Sequence, residues 1–183
     1  MAYRNSNYTA FYVSDCFSTS NLGAYATRDF CYYQTLKSWK AQDTNFPFID
    51  AHAKTYNVRD SSNWETTLKP RLRERLSKSQ NIILILSDYT RPSRALNEEI
   101  IYGIDTLGLP VIVAYVELDY LGFGSNISPR TQDYWKHLPE FWSRVLDVPT
   151  AHIPFKKEYF KRALTDPRFS VVTKTNNCMV AFN

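Results

Sequence analysis

Glu99 is the residue whose setting most resembles that of a working acid. It follows a strand-like apolar run, Asn81–Leu86, and lies in a segment, Arg94–Leu107, with helical periodicity. With Leu96 as zero on a helical wheel, Ile100, Gly103, Ile104 and Leu107 all fall within about 80° of it. Glu98 then points to the opposite side, while Glu99 lies about 60° from Leu96, at the margin of the apolar face. A carboxylate at such a margin can lean over a ligand while its surroundings tune its proton affinity. The plainer reading is a boundary glutamate paired with a basic neighbour.

Other familiar chemistries are missing. Gly122-Phe123-Gly124 lacks the third glycine and the strand–turn–helix setting of a phosphate loop. No GxSxG elbow occurs, and His52, His137 and His152 share no metal-ligand spacing. The acidic cluster and following lysine of a receiver domain cannot be assembled.

The elements that must position Glu99 alternate between strand and helix. Thr9–Ser14 reads as a first strand, Arg28–Lys40 as a helix and Phe46–Asp50 as a second strand. Ser62 and Glu65 match a capping box before a helix with Trp64, Leu68, Leu72 and Leu76 four apart. Pro70 must either kink that helix or mark its true start. Five consecutive branched apolar residues, Ile82–Leu86, imply a strand buried on both faces. Ser93 can cap the Glu99 helix, which Gly108 and Pro110 end; Pro110–Val116 reads as another strand. Further on, Glu117–Ser128 reads as an irregular loop, with helices over Thr131–Leu138 and Glu140–Leu146. Thr150–Phe155 is a last strand and Lys156–Leu164 a last helix; Phe169–Thr173 is either an edge strand or a packed tail. The expected fold is α/β, a doubly wound parallel sheet with helices on both faces. Ligands of such sheets sit beyond the carboxyl ends of the strands, here Ser14–Asp15, Asp50–Ala51, Ser87–Asp88 and Val116–Glu117.

Composition sets bounds. The chain has 183 residues, a net charge of +4 and an apolar fraction of 44%. That is an ordinary globular balance, rich in aromatics that could pack a core, stack on rings or dock partners. Basic residues cluster at 69–78 and 156–162, most simply as solvated helix faces, so a nucleic-acid partner is not expected. Three cysteines without metal spacing and a polar start, Met1–Tyr8, point to a reducing, cytoplasmic setting; no apolar run approaches a membrane span.

Three stretches carry a resemblance: Asn81-Ile-Ile-Leu-Ile-Leu-Ser-Asp-Tyr-Thr90; Ser93 with Glu99-Ile100; and Leu109-Pro110-Val-Ile-Val-Ala-Tyr115. Phe11-Tyr12-Val13-Ser14 falls at the first strand and Asp60-Ser61-Ser62 at the turn before the second helix. The pattern resembles the TIR-like superfamily, most closely the bacterial branch that includes Thoeris antiphage (ThsB-like) proteins, over about residues 8–116. The resemblance implies a flavodoxin-like sheet of about five strands in one TIR-like domain over 1–183, with 117–183 completing the sheet and adding helices.

It also implies a chemistry. Enzymatic members cleave the nicotinamide–ribose bond of NAD with a glutamate at the Glu99 position, NAD being substrate and no cofactor being needed. Positive charge left on the ribose is what a fixed carboxylate stabilises. The acceptor decides between ADP-ribose, a cyclic isomer and a conjugate. In Thoeris-like members the product resembles a second messenger that acts on a separate effector protein. A phage-derived activator and a homo-oligomer are the other partners to expect.

Ser14 and Asp15 would line the nicotinamide pocket or serve the turn. Ser87 would bond a ribose or serve its own turn with Asp88 and Thr90. The amides around Asn21 and Gly23 would meet a diphosphate. Many enzymatic members carry Trp four residues before the glutamate, where this chain has Ala95. A stacking wall would then come from Tyr89, Tyr102 or the loop Leu118–Phe123, or the site is weaker. Two other readings share these residues: a non-enzymatic TIR adaptor, and a nucleoside deoxyribosyltransferase-like enzyme with a nucleophilic carboxylate.

Overall fold

The computed structural model describes residues 4–13, 28–52 and 63–182. Its strands are β1 (Ser6–Ala10), β2 (Ser79–Leu86), β3 (Val111–Tyr115), β4 (Gly122–Phe123), β5 (Asn126–Ile127), β6 (Thr150–Pro154) and β7 (Met179–Ala181). Its α-helices are α1 (Arg28–Gln42), α2 (Lys69–Ser77), α3 (Arg94–Ile101), α4 (Pro129–Trp135), α5 (Pro139–Trp142) and α6 (Lys157–Thr165). Five strands form one parallel sheet in the order β1-β2-β3-β6-β7, and β4 and β5 make a separate small hairpin. This is the doubly wound α/β architecture that the alternation of elements predicts, with the flavodoxin-like five-stranded sheet that the resemblance implies.

The apolar run of β2 explains its central place. Ile82, Leu84 and Leu86 pack into a layer with Leu72 and Leu76 of α2, Leu96 and Ile100 of α3, and Trp135 and Phe141 of α4 and α5. Ile83 and Ile85 face the opposite layer, with Leu36 of α1 and Phe160 and Ala163 of α6. Each such side chain contributes roughly 1.5–3 kcal/mol on burial, so a strand apolar on both faces is best accommodated where both faces are covered.

Local signals set the ends of the helices over β1 and β2. Asn63 Oδ1 accepts from the amides of Glu65 and Thr66 and caps a π-helical turn, Trp64–Leu68, that leads into α2. The expected cap Ser62 lies outside the described residues. Pro70 is the second residue of α2, directly after the π-helical turn, and has no N–H to give to the carbonyls of that turn. Ser93 Oγ accepts from Leu96 N at 3.2 Å and caps α3. That helix continues into a second π-helical turn, Tyr102–Thr106, where Gly103 meets β2. A Cβ there would crowd the side-chain end of Ile82 and force it to shift, so glycine lets the helix approach the strand without that adjustment. Gly108, at φ +60°, then ends the segment.

Two expectations shift. β1 occupies Ser6–Ala10 rather than Thr9–Ser14, set by parallel pairing of Tyr8 with Ile82 and Ala10 with Leu84. The stretch Phe46–Asp50 is not a full strand: Pro47 has no N–H to give, and a single parallel bridge joins Asp50 to Asn7. The far edge strand is Met179–Ala181, and of the two readings of Phe169–Thr173 the packed tail is the one met, with Phe169 buried at the end of a 3₁₀ turn. The two basic stretches are interleaved with carboxylates, Lys69 and Arg73 pairing with Glu98, Lys156 with Asp119 and Lys157 with Asp43. No helix among the described residues is long and apolar enough to cross a membrane.

One polar chain crosses the core beneath α4. The Trp135 indole can only donate, and Nε1 lies 2.6 Å from the Tyr115 hydroxyl oxygen. That hydroxyl must then give its own proton to His152 Nδ1 at 2.8 Å, leaving His152 Nε2–H to donate to Thr150 Oγ1 at 3.3 Å. All four residues are buried. Burial lowers the His152 pKa to about 3, which keeps the ring neutral. Tyr115→Phe would strand a buried donor and a buried acceptor together. Its expected cost is about 1–3 kcal/mol in urea unfolding, against near neutrality for a surface control such as Tyr120→Phe.

Candidate functional site

The chain leaves β1 toward the segment around Asp50 on one side of the sheet and returns as β2 on the other. The crevice between β1 and β2 is therefore the topological switch point, where ligands of doubly wound folds bind. Two groups of polar residues lie there, one above β1 and one at the end of β2.

The first centres on Glu99. Helix α3 brings its carboxyl to β1, where the Tyr8 hydroxyl donates to Oε1 at 2.7 Å. Among the described residues no hydrogen bond reaches Oε2, so one oxygen is held by Tyr8 and the other is not. Glu99 keeps part of its surface exposed as a residue, but its carboxyl is desolvated. That desolvation pushes its pKa up to about 8, against the opposing pull of the Tyr8 hydrogen bond and the Arg75 positive charge.

Behind Tyr8 stands His52, its ring 4.6 Å from the phenol ring. His52 Nε2 is 3.0 Å from the Thr9 carbonyl, which can only accept, so the proton resides on Nε2. Nδ1 is then the acceptor for Arg75 Nη1 at 3.2 Å. Burial, then the Arg75 charge, lower the His52 pKa to about 4 and keep the ring neutral. The His52 amide donates to Asp50 Oδ1 at 2.9 Å, and Asp50 Oδ2 accepts from the Tyr33 hydroxyl at 2.7 Å. This series links α1, the edge of β1 and α2 behind the Tyr8–Glu99 pair.

The second group surrounds Asp29, in the first turn of α1 and 1% exposed. Its carboxyl accepts from Ser87 Oγ at 2.6 Å, from Thr90 Oγ1 at 3.4 Å and from the backbone of Tyr12. Burial raises its pKa even so. Ser87 also accepts from the Tyr89 amide, and its own amide donates to Thr90 Oγ1, which closes the turn after β2. Tyr89 stands on that turn, 47% exposed. Ser87 is thus engaged by Asp29 and its own turn, and it shares no hydrogen bond with Glu99 among the described residues. Ser14, Asp15 and Asn21 lie outside the described residues.

Trp64, stacked under the Arg94 guanidinium at 4.8 Å, belongs to the same apolar cluster as Ala95 and lies on the α3 side of the sheet. It supplies an indole in a neighbourhood where the sequence pattern lacks one. Sequence reasoning missed Tyr8, His52, Arg75 and Asp29. Only Asp29 carried a local signal, an acidic residue in a first helical turn. No group of three or more His, Cys, Asp or Glu among the described residues could hold a metal ion.

The family model described as "Thoeris protein ThsB, TIR-like domain" matches residues 8–120, a span that includes Tyr8–Ala10 of β1, all of β2 and Glu99. With its parallel sheet and helices on both faces, the chain belongs to the ThsB TIR-like family of the Thoeris system, and its role at family level is in antiphage defence.

Proposed function

We propose that this protein processes NAD, breaking the bond between nicotinamide and ribose with Glu99 as the catalytic carboxylate. The observation that carries the reading is a desolvated carboxyl with one oxygen held by Tyr8, lodged at the switch point of a TIR-like sheet. As the bond breaks, its electron pair goes to the nicotinamide nitrogen, which becomes neutral, and positive charge develops on the ribose. A fixed carboxylate beside that charge stabilises the transition state most where water is excluded. An acceptor then adds to the ribose carbon and loses a proton. Water would give ADP-ribose, an adenine nitrogen a cyclic isomer, and another small molecule a conjugate. In this reading the product is a signal for a separate effector protein, made in the cytoplasm when a phage-derived activator or self-association completes the site.

A non-enzymatic assembly module is the second reading. One observation favours it: Phe123, 81% exposed, and Tyr120, 64% exposed, stand at the β4–β5 hairpin and its approach, an apolar pair open to a partner.

Three outcomes are expected. Purified protein incubated with NAD, with and without lysate from infected cells, releases nicotinamide by chromatography, and Glu99→Gln abolishes the release. No release from folded protein under either condition would move the assembly reading ahead. The same variant separates function from folding. Glu99 has a folded pKa of about 8, above its ordinary 4.5. Its contribution to stability is therefore fully present below about pH 4.5 and is lost as pH rises through about 8. Glu99→Gln is expected to match wild type near pH 4 and to exceed it by roughly 5 kcal/mol at pH 9 in urea unfolding. Because the reaction needs the ionised carboxylate, kcat/KM for NAD should climb about tenfold per pH unit below the free-enzyme pKa. It should level off above about 8.

A further inference from the structure

We infer that Tyr8 is a positioning residue for Glu99, fixing which carboxylate oxygen faces the ligand and how readily the carboxylate forms. The inference rests on the proposed NAD chemistry for its consequence, but on geometry alone for its substance. Tyr8 is 1% exposed and lies on β1 opposite Ile82, two residues short of the carboxyl end of the strand. From there its hydroxyl reaches Glu99 Oε1 across 91 residues of sequence. Among the described residues the phenol has one use for its proton, the Glu99 carboxyl oxygen 2.7 Å away.

The orientation of the phenol is fixed in turn. The His52 ring lies 4.6 Å from it, and both imidazole nitrogens are committed, to the Thr9 carbonyl and to Arg75. His52 therefore cannot rotate without breaking two hydrogen bonds, and the phenol packed on it keeps its aim. Tyr8 and Arg75 are the groups that act electrostatically on Glu99, and both favour its ionised form. A hydroxyl that binds the carboxylate more strongly than the acid offsets part of the desolvation that opposes ionisation. Without Tyr8, Glu99 would remain protonated to higher pH, and its freed oxygen could turn away from the developing charge.

A merely structural Tyr8 would change stability and leave the titration of Glu99 alone. The test is therefore a titration of the Glu99 carboxyl by carbon-detected NMR, assigned with Glu99→Gln, in wild type and in Tyr8→Phe. The expected result is a midpoint that moves upward in Tyr8→Phe, with the pH limb of kcat/KM moving with it. Turnover should fall about tenfold in kcat with little change in KM. A second protein, with 3,5-difluorotyrosine at position 8, keeps the ring and its packing while making the hydroxyl a stronger donor. It should move the Glu99 midpoint downward, and it decides the matter if Tyr8→Phe does not fold. An unmoved midpoint in the difluoro protein overturns the inference. If wild type itself releases no nicotinamide, the function fails, yet the two opposite midpoint shifts still test the role of Tyr8.

Discussion

Burying a carboxyl against an apolar layer is unfavourable unless something holds it, and the Tyr8–Glu99 hydrogen bond is that hold. Much of the surrounding architecture follows from making it. Tyr8 can reach Glu99 only if β1 pairs with β2 in the observed register, with Tyr8 beside Ile82. A slip of one residue would send the phenol to the opposite face and leave the carboxyl unpartnered. Helix α3 must also lie close to β2, and Gly103 against Ile82 permits that.

The edge of the sheet serves the same end. Residues 49–52 lie beside β1 through the Asn7 and Asp50 bridge, with the Asn7 amide donating to the Ile49 carbonyl at 2.7 Å. They cover the open edge of β1 and deliver His52 and Asp50 to the phenol and to Tyr33. An edge that would otherwise expose unpaired backbone groups is thus used to brace the site. At the carboxyl end of β2, Asp29 performs a comparable task, drawing the Ser87–Thr90 turn and the backbone of Tyr12 onto one buried carboxyl.

What was legible in the sequence follows from the range of the forces involved. The branched run of β2, the Ser93 cap and the stop at Gly108 are local, and the wheel placed Glu99 at the margin where its carboxyl is found. The bounds of β1 were not legible, because strand pairing decided them and Phe11–Val13 are as apolar as any strand. Nor was β7, whose residues join the sheet only because Thr150 N–H finds the Cys178 carbonyl, 28 residues later. Tyr8 and His52 were invisible as site residues for the same reason. A histidine without ligand spacing says nothing of a phenol packed on it, and the Tyr8–Glu99 distance depends on the whole β1-β2-α3 unit.

The two neutral histidines and the raised carboxyl pull the protein's pH response in opposite senses. Both histidines have folded values below their ordinary 6.5, about 4 for His52 and about 3 for His152. Their contributions are present above pH 6.5 and fall away with acid. The Glu99 contribution is complete below about 4.5 and falls away with alkali through about 8. The two limbs overlap between about pH 4.5 and 6.5, so these three groups oppose one another there. Over that range the resting carboxyl is largely protonated. If NAD is the substrate as proposed, a cationic nicotinamide ring or a developing positive charge beside Oε2 would favour the ionised form, and substrate binding would be linked to loss of the Glu99 proton. On the proposed NAD chemistry, the carboxyl would then be most reactive with the ligand present, while the neutral form favours the fold in its absence.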